Sequence, residues 1–225
     1  MKKKWTFLSH KLSAKHPAYG NGIGFKSIKT NSICCGNTSN NSSLDFPVHL
    51  GTHLDFPYHF SDEGKFGDDY NAEDFIFENV EIIELKVESI KDYKISIDDF
   101  VHEKMNPTSE VLIVKTGMCN LLNTDAYWNQ NPCFDPELAR YFKRRLPNLK
   151  IFGFDTISLT GRSYREEGKK AHLEFLIEHD ILILEDMDLS LLDAKTTINK
   201  VVISPLRFEK MDGAPVTVLA EIDEI

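Results

Sequence analysis

Lys150-Ile151-Phe152-Gly153-Phe154-Asp155 and Ile181-Leu182-Ile183-Leu184-Glu185 are short apolar runs that frame a very different stretch, Gly168 to about Glu178. In that middle stretch Ala171, Phe175 and Leu176, together with His172 and His179, fall on one helical stripe. Short β-rich runs bounded by turn residues predict strands with buried faces. The chain therefore reads as strand, helix, strand. Working outward, Pro136 to Leu146 predicts another helix, with Asp135 as N-cap, Pro136 at the first helical position and Pro147 beyond its end. Val80 to Val87, Glu110 to Lys115 and Val201 to Ser204 predict further strands. Strands outnumber helices, and one α+β or α/β domain is the economical architecture. The polar stretch Gly36 to Ser43 reads as a surface loop.

The chain has 225 residues, 41% of them hydrophobic and 11% aromatic, which is enough to bury a real core. It carries 26 basic against 35 acidic side chains and a formal net charge of −9. That balance argues against nucleic-acid binding, which needs clustered positive charge to displace counterions. No apolar run approaches the ~18 residues of a membrane span. The basic start, Met1 to Lys4, lacks an apolar signal-peptide core. A cytoplasmic protein acting on a small molecule is the expectation, with no nucleic-acid or membrane partner. Cys34, Cys35, Cys119 and Cys133 match no zinc or redox spacing and read as reduced thiols. Gly20 to Gly24 lacks the spacing of a dinucleotide loop.

The most informative chemistry lies in Pro47-Val48-His49-Leu50-Gly51-Thr52-His53-Leu54-Asp55-Phe56-Pro57-Tyr58-His59-Phe60, which holds three of the eight histidines. A helical two-histidine zinc site is excluded, because Leu50 stands where its Glu belongs and Gly51 and prolines break a helix. An extended reading puts His49, Gly51, His53 and Asp55 on one face, with Val48, Leu50, Thr52, Leu54 and Phe56 on the other. Two imidazoles and a carboxylate form a nitrogen/oxygen donor set suited to Zn²⁺, Mn²⁺ or Fe²⁺. His59 lies past Pro57, beyond the reach of the alternation. The aromatics around the motif (Phe46, Phe56, Tyr58, Phe60, Phe66 and Tyr70) read as core before substrate pocket.

These residues resemble the signature of the cyclase family of metal-dependent hydrolases, which includes bacterial kynurenine formamidase and isatin hydrolase. The signature H-x-G-T-H-x-D-x-P-x-H stands complete as His49 to His59. The resemblance extends through Lys115-Thr116-Gly117, Gly153 to Ser158, His172 with Glu185, Ser204-Pro205-Leu206 and Asp212-Gly213-Ala214-Pro215-Val216. Lys115 and Thr217 depart from it, each standing where the family pattern has Arg.

The resemblance implies a single compact α+β domain over residues 1–225, with a mixed β-sheet core and packed helices in a swivelling β/β/α arrangement. It implies that His49, His53 and Asp55 hold a divalent metal, Zn²⁺ or Mn²⁺, with Asp55 able to bridge to a second ion completed by His172 and Glu185. One or two ions per chain would result. His59 would be the general acid/base in hydrolysis of a small aryl-formamide, such as N-formylkynurenine, or of a cyclic amide. A lyase or dehydratase using the same groups, and a catalytically silent metal-binding protein, are the competing readings. A homodimer or homotetramer is implied as well. Asp155 and Ser158 are candidates for shaping the site, and His179 is a spare ligand candidate. His10, His16 and His102 carry no spacing signal.

Overall fold

The computed structural model describes residues 2–86, 90–193 and 195–223. Its centre is a nine-stranded mixed sheet. One half is parallel: β6 (Val80–Glu84), β8 (Val111–Lys115), β10 (Ile151–Phe154) and β11 (Leu182–Glu185) lie side by side. The other half is antiparallel: β4 (His53–Asp55), β13 (Gly213–Asp223), β12 (Ile198–Pro205) and β5 (Ile76–Phe77) follow in that order, and β1 (Lys3–Phe7) pairs with the far end of β13. β4 therefore sits at the junction, antiparallel to both β11 and β13.

Strands β10 and β11 are buried throughout, and β8 is buried except for Lys115. Continuous apolar runs of this kind are what a parallel sheet covered on its faces requires. Three helices accompany the sheet: α1 (Asp125–Asn129), α2 (Glu137–Arg145) and α3 (Arg165–Leu173), the last continuing as a π-type turn over Glu174–Glu178. Helices α2 and α3 make the crossovers from β8 to β10 and from β10 to β11. Their apolar faces meet the sheet in an aromatic cluster, with Phe142 of α2 and Phe175 after α3 both against Phe152 of β10. The Phe152 and Phe175 rings stack with centroids 4.9 Å apart.

The predicted strands and the helix at 136–146 form within one to three residues of the expected bounds, the largest differences being β12, which starts three residues before Val201, and the end of β6. Asp135 Oδ1 accepts the backbone N–H of Glu137 at 2.9 Å, as an N-terminal cap should. The first predicted strand ends at Glu84, and its last residue, Val87, lies outside the described residues.

Four expectations need correction. Helix α3 starts at Arg165, three residues before Gly168. Gly168 is an interior packing position: a Cβ there would stand 2.1 Å from Thr160 Oγ1, so the missing side chain lets the helix approach the 156–160 loop. The loop predicted at Gly36–Ser43 ends in strand, because β3 (Asn41–Asp45) takes its last three residues and pairs with β2 (Lys26–Asn31) in an exposed hairpin. The extended reading of the histidine motif holds only for His53–Asp55. Residues 48–52 form a bend in which Gly51 takes φ +66°, and that left-handed turn ends the alternation. Strands β1 and β13 and the short pair β7 (Lys94–Ile95) and β9 (Cys133–Phe134) were not expected. Among the described residues there is no disulfide; Cys34 and Cys35 are exposed, and Cys119 and Cys133 are buried. No described helix is long and apolar enough to cross a membrane.

Gly168→Ala should destabilise the fold by about 1–3 kcal/mol through overpacking against Thr160. The measurement is urea unfolding, and an unchanged midpoint would contradict the close approach.

Candidate metal centre

Because β4 is extended, His53 and Asp55 project from the same side of it while Leu54 enters the core. The antiparallel register with β11 sets Glu185 directly opposite His53. Helix α3 brings His172 to the same point from above. His53 Nε2 stands 3.4 Å from Asp55 Oδ1 and 3.5 Å from Glu185 Oε2. His172 Nε2 stands 3.5 Å from Asp55 Oδ2 and 3.5 Å from Glu185 Oε1. All four side chains are buried.

The free nitrogen of each imidazole is dictated by its other nitrogen. His53 Nδ1 donates to the Gly51 carbonyl at 2.7 Å, and His172 Nδ1 donates to the Gly168 carbonyl at 2.7 Å. Both Nε2 atoms therefore face the carboxylates. Glu185 is held in turn, since its Oε1 accepts the Leu159 N–H at 2.7 Å and the Ser158 hydroxyl at 3.2 Å. Ser158 thus orients a carboxylate. Asp155 lies behind the site and anchors a turn, accepting from Thr116 N and Oγ1 and from Gly117 N.

His49 approaches from the bend and lies on the other side of Asp55. Its Nδ1 contacts Asp55 Oδ1 at 2.8 Å and its Nε2 contacts Asp212 Oδ2 at 2.8 Å. With a carboxylate accepting from each nitrogen, His49 is an imidazolium and serves as counter-cation to Asp55. His59 Nδ1 donates to the same Asp212 oxygen at 3.0 Å, and the His49 and His59 rings stack with centroids 4.0 Å apart. The motif histidines thus form two groups that share Asp55, one containing His53 and Glu185 and the other His49 and His59.

Protonation follows from these contacts. Burial alone would depress His49 and His172, but hydrogen bonds to Asp212 and Asp55 raise the first to about 10, and Asp55 and Glu185 raise the second to about 10. His53 is raised against its burial, chiefly by Asp55. Burial favours the neutral acid of Asp55, yet His172, His49 and His53 hold it well below the usual carboxylate range. His49 pulls Asp212 down to about 2. His59 is lowered, with burial the largest cause, so it is mostly neutral near pH 7.

The donor set fits a divalent ion. Two ligands each about 2.1 Å from a tetrahedral ion stand roughly 3.4 Å apart, which matches the distances from His53 Nε2 to Asp55 Oδ1 and Glu185 Oε2, while His172 Nε2 faces the other oxygen of each carboxylate. Nitrogen and oxygen donors without thiolate suit Zn²⁺ or Mn²⁺.

The remaining sequence candidates lie elsewhere. His179 faces Glu174 Oε2 at 3.6 Å, away from the cluster. Lys115 donates to the Leu192 carbonyl and faces Glu84 at 3.4 Å, and Thr217 is exposed on β13 opposite Ser204. Neither lines the cavity over the cluster. Of the motif aromatics Phe56 is core, while Phe60 stacks on His172 at 4.4 Å and lines the cavity.

Sequence reasoning missed the role of Asp212 and Gly213: a Cβ at 213 would lie 2.4 Å from His49 Cε1, so glycine there leaves room for the ring. It also missed Asp186, which accepts from His16 Nε2 at 2.7 Å and from the Tyr127 hydroxyl. His10 Nε2 is buried 3.6 Å from the same carboxylate. These contacts pin the N-terminal segment against Gly51, where Leu12 and His16 close the space beside the glycine. Residues so far apart in sequence give no spacing signal.

Residues 7–160 match the family model Cyclase ("Putative cyclase"). The chain belongs to the Cyclase family. Cyclase-like protein 2 of Arabidopsis thaliana is 24% identical to it over 224 residues, 93% of this chain and 76% of the relative. Isatin hydrolase A from Labrenzia aggregata, solved with benzyl benzoate, superposes with a TM-score of 0.81 at 19% identity, covering 99% of this chain and 94% of the other. A structure described as a potential metal-dependent hydrolase with cyclase activity gives 0.78 at 21% identity, covering both chains fully. These likenesses show that the Cyclase chain has the fold expected for its family: α+β, with a mixed sheet.

His53→Ala should abolish stoichiometric binding of Zn²⁺ or Mn²⁺, read by elemental analysis after dialysis. Full retention would rule out the β4 assignment. Because His49 and His172 hold protons up to about pH 10 and an imidazole binds metal only when neutral, ion uptake must expel protons. Affinity should rise steeply from pH 6 to pH 8, and titration calorimetry in buffers of different ionisation enthalpy should show proton release.

Proposed function

We propose that this chain is a metal-dependent hydrolase of a small amide, an aryl-formamide such as N-formylkynurenine or a cyclic amide such as isatin. The observation that carries this reading is the convergence of two imidazole Nε2 atoms and two carboxylates at 3.4–3.5 Å on the floor of a cavity of about 380 Å³, with His59 in its wall. That volume suits a small ligand, and Tyr19, Phe60 and Ile157 offer apolar walls for a flat ring. Family membership and the fold shared with isatin hydrolase A support the same class of reaction.

His53, Asp55 and Glu185 would hold a divalent ion, with His172 at the other oxygen of each carboxylate and His49 on the far side of Asp55; the ion would supply polarisation of an amide carbonyl and a water whose pKa falls to about 7. Asp55 belongs to both groups of donors, which fits one or two ions. His59 moves the proton. Asp212 accepts from its Nδ1, so Nε2 carries the lone pair, and the lowered pKa keeps that nitrogen free near neutrality. It takes a proton from the attacking water and delivers it to the departing nitrogen, so the C–N bond breaks to a carboxylic acid and an amine. Phe60 stacks on the His172 ring and lines the cavity beside it.

The chain is further proposed to act as a homo-oligomer. The β2–β3 hairpin exposes Ile28, Ile33 and Leu44, and an isolated two-stranded hairpin is marginally stable unless something covers it. Sedimentation equilibrium reads the assembly state.

The deciding experiment is hydrolysis of N-formylkynurenine and isatin by metal-stripped protein before and after Zn²⁺ or Mn²⁺ is restored. Metal-restored turnover with kcat/KM of about 10⁴ M⁻¹s⁻¹ or more on either substrate is expected. Stoichiometric metal with no amide cleaved would refute the reading. His59→Ala should keep the metal and lose about 10²–10⁴-fold in kcat; loss of the metal would make His59 a ligand instead.

A further inference from the structure

The cavity has two electrostatically different ends. Its floor holds Asp55, Glu185 and Asp186 with their histidines, and its mouth carries Arg165 and Lys169. The two cations are four residues apart on α3, and His172 follows three residues after Lys169. Residues at this spacing share one face of a helix, so a single stripe presents His172 to the floor and the two cations to the mouth. The helix rises about 1.5 Å per residue, which sets Arg165 roughly 10 Å along the axis from His172 and Lys169 about half as far.

Neither cation is used by the fold. Both side chains are exposed, and among the described residues neither forms a hydrogen bond or an ion pair. Glu166 and Glu167 sit one and two positions after Arg165, a spacing that does not face it, and Glu166, three positions before Lys169, makes no ion pair with it among the described residues. Two like charges at i and i+4 repel each other on a helix, in a protein whose net charge is −9. Arg and Lys placed together with no ion-paired acid suit an anion brought by a ligand, and the planar guanidinium fork matches a carboxylate. The two positions where the sequence departs from the family's arginines do not supply this charge, since Lys115 is committed to Glu84 and Leu192 and Thr217 faces away on β13.

We infer that Arg165 and Lys169 form an anion subsite at the cavity mouth, which makes the substrate an amide bearing a second, non-reacting carboxylate across the width of a ring from the scissile bond. The inference rests on the hydrolase reading above and narrows its substrate class, favouring carboxylated aryl amides over neutral lactams.

The test uses a matched pair, 4-formamidobenzoate and its methyl ester, which share the scissile bond and differ in charge. With the metal-loaded full chain, kcat/KM for the acid should exceed that for the ester by at least about tenfold. In Arg165→Gln/Lys169→Gln this ratio should collapse towards one, chiefly through KM for the acid. The charge-retaining swap Arg165→Lys/Lys169→Arg should restore most of the preference. A second readout needs no turnover: calorimetric binding of 4-carbamoylbenzoate should weaken at least about tenfold in the double Gln variant. An unchanged acid-to-ester ratio, or unchanged binding in that variant, would overturn the subsite. If neither formamide is cleaved, the hydrolase reading fails at that point, and the binding comparison still decides the subsite. Substitutions at exposed helix positions with no partner leave folding nearly untouched.

Discussion

One buried carboxylate organises this molecule. Asp55 is 1% exposed and lies in the middle of a nine-stranded sheet, where an ionised carboxylate is costly unless cations and donors surround it. Three imidazoles do so: His49 within hydrogen-bond distance, His53 and His172 slightly farther. To bring three rings to one carboxylate the chain must enter from a bend, from a strand and from a helix. Gly51, Gly213 and Gly168 sit where these approaches would otherwise collide, against Leu12, the His49 ring and Thr160 respectively. The carboxylate is held as an anion by cations that must themselves give way before an ion can bind, which couples metal loading to protonation.

Around that centre lies a shell of polar groups with one orienting task each. The carbonyls of Gly51 and Gly168 fix the tautomers of His53 and His172, and Ser158 with the Leu159 amide fixes Glu185. Asp212 spans His49 and His59, so the residue that would move protons is tied to the one that balances Asp55. Asp186 ties the N-terminal segment to the same region through His16. Rigid support of this kind keeps ligands in productive geometry.

Helix α3 divides the cavity's chemistry between its two ends. The same face carries His172 at depth and, at the rim, two cations that form no ion pair among the described residues, so binding and bond cleavage can be assigned to different stretches of one element. Position along a rigid helix converts directly into distance across a substrate.

The sequence by itself determined the local facts. Apolar runs of four to six residues could be little other than buried strands. Asp135 and Pro136 fixed a helix start, and the run from His49 to His59 announced its chemistry because its donors are contiguous. The failures came where backbone conformation depends on remote neighbours. Gly51 turns left-handed against Leu12 and His16, so alternation stops at His53, and Gly168 serves close packing against Thr160 where its composition suggested a boundary. The sheet order, the pairing of His53 with Glu185, the placement of Asp212 between His49 and His59, and the convergence of Asp186, Arg165 and Lys169 on one cavity were decided only by tertiary structure. Strand register and helix docking are set by the summed burial of side chains far apart in the chain, and no spacing along the chain encodes that sum.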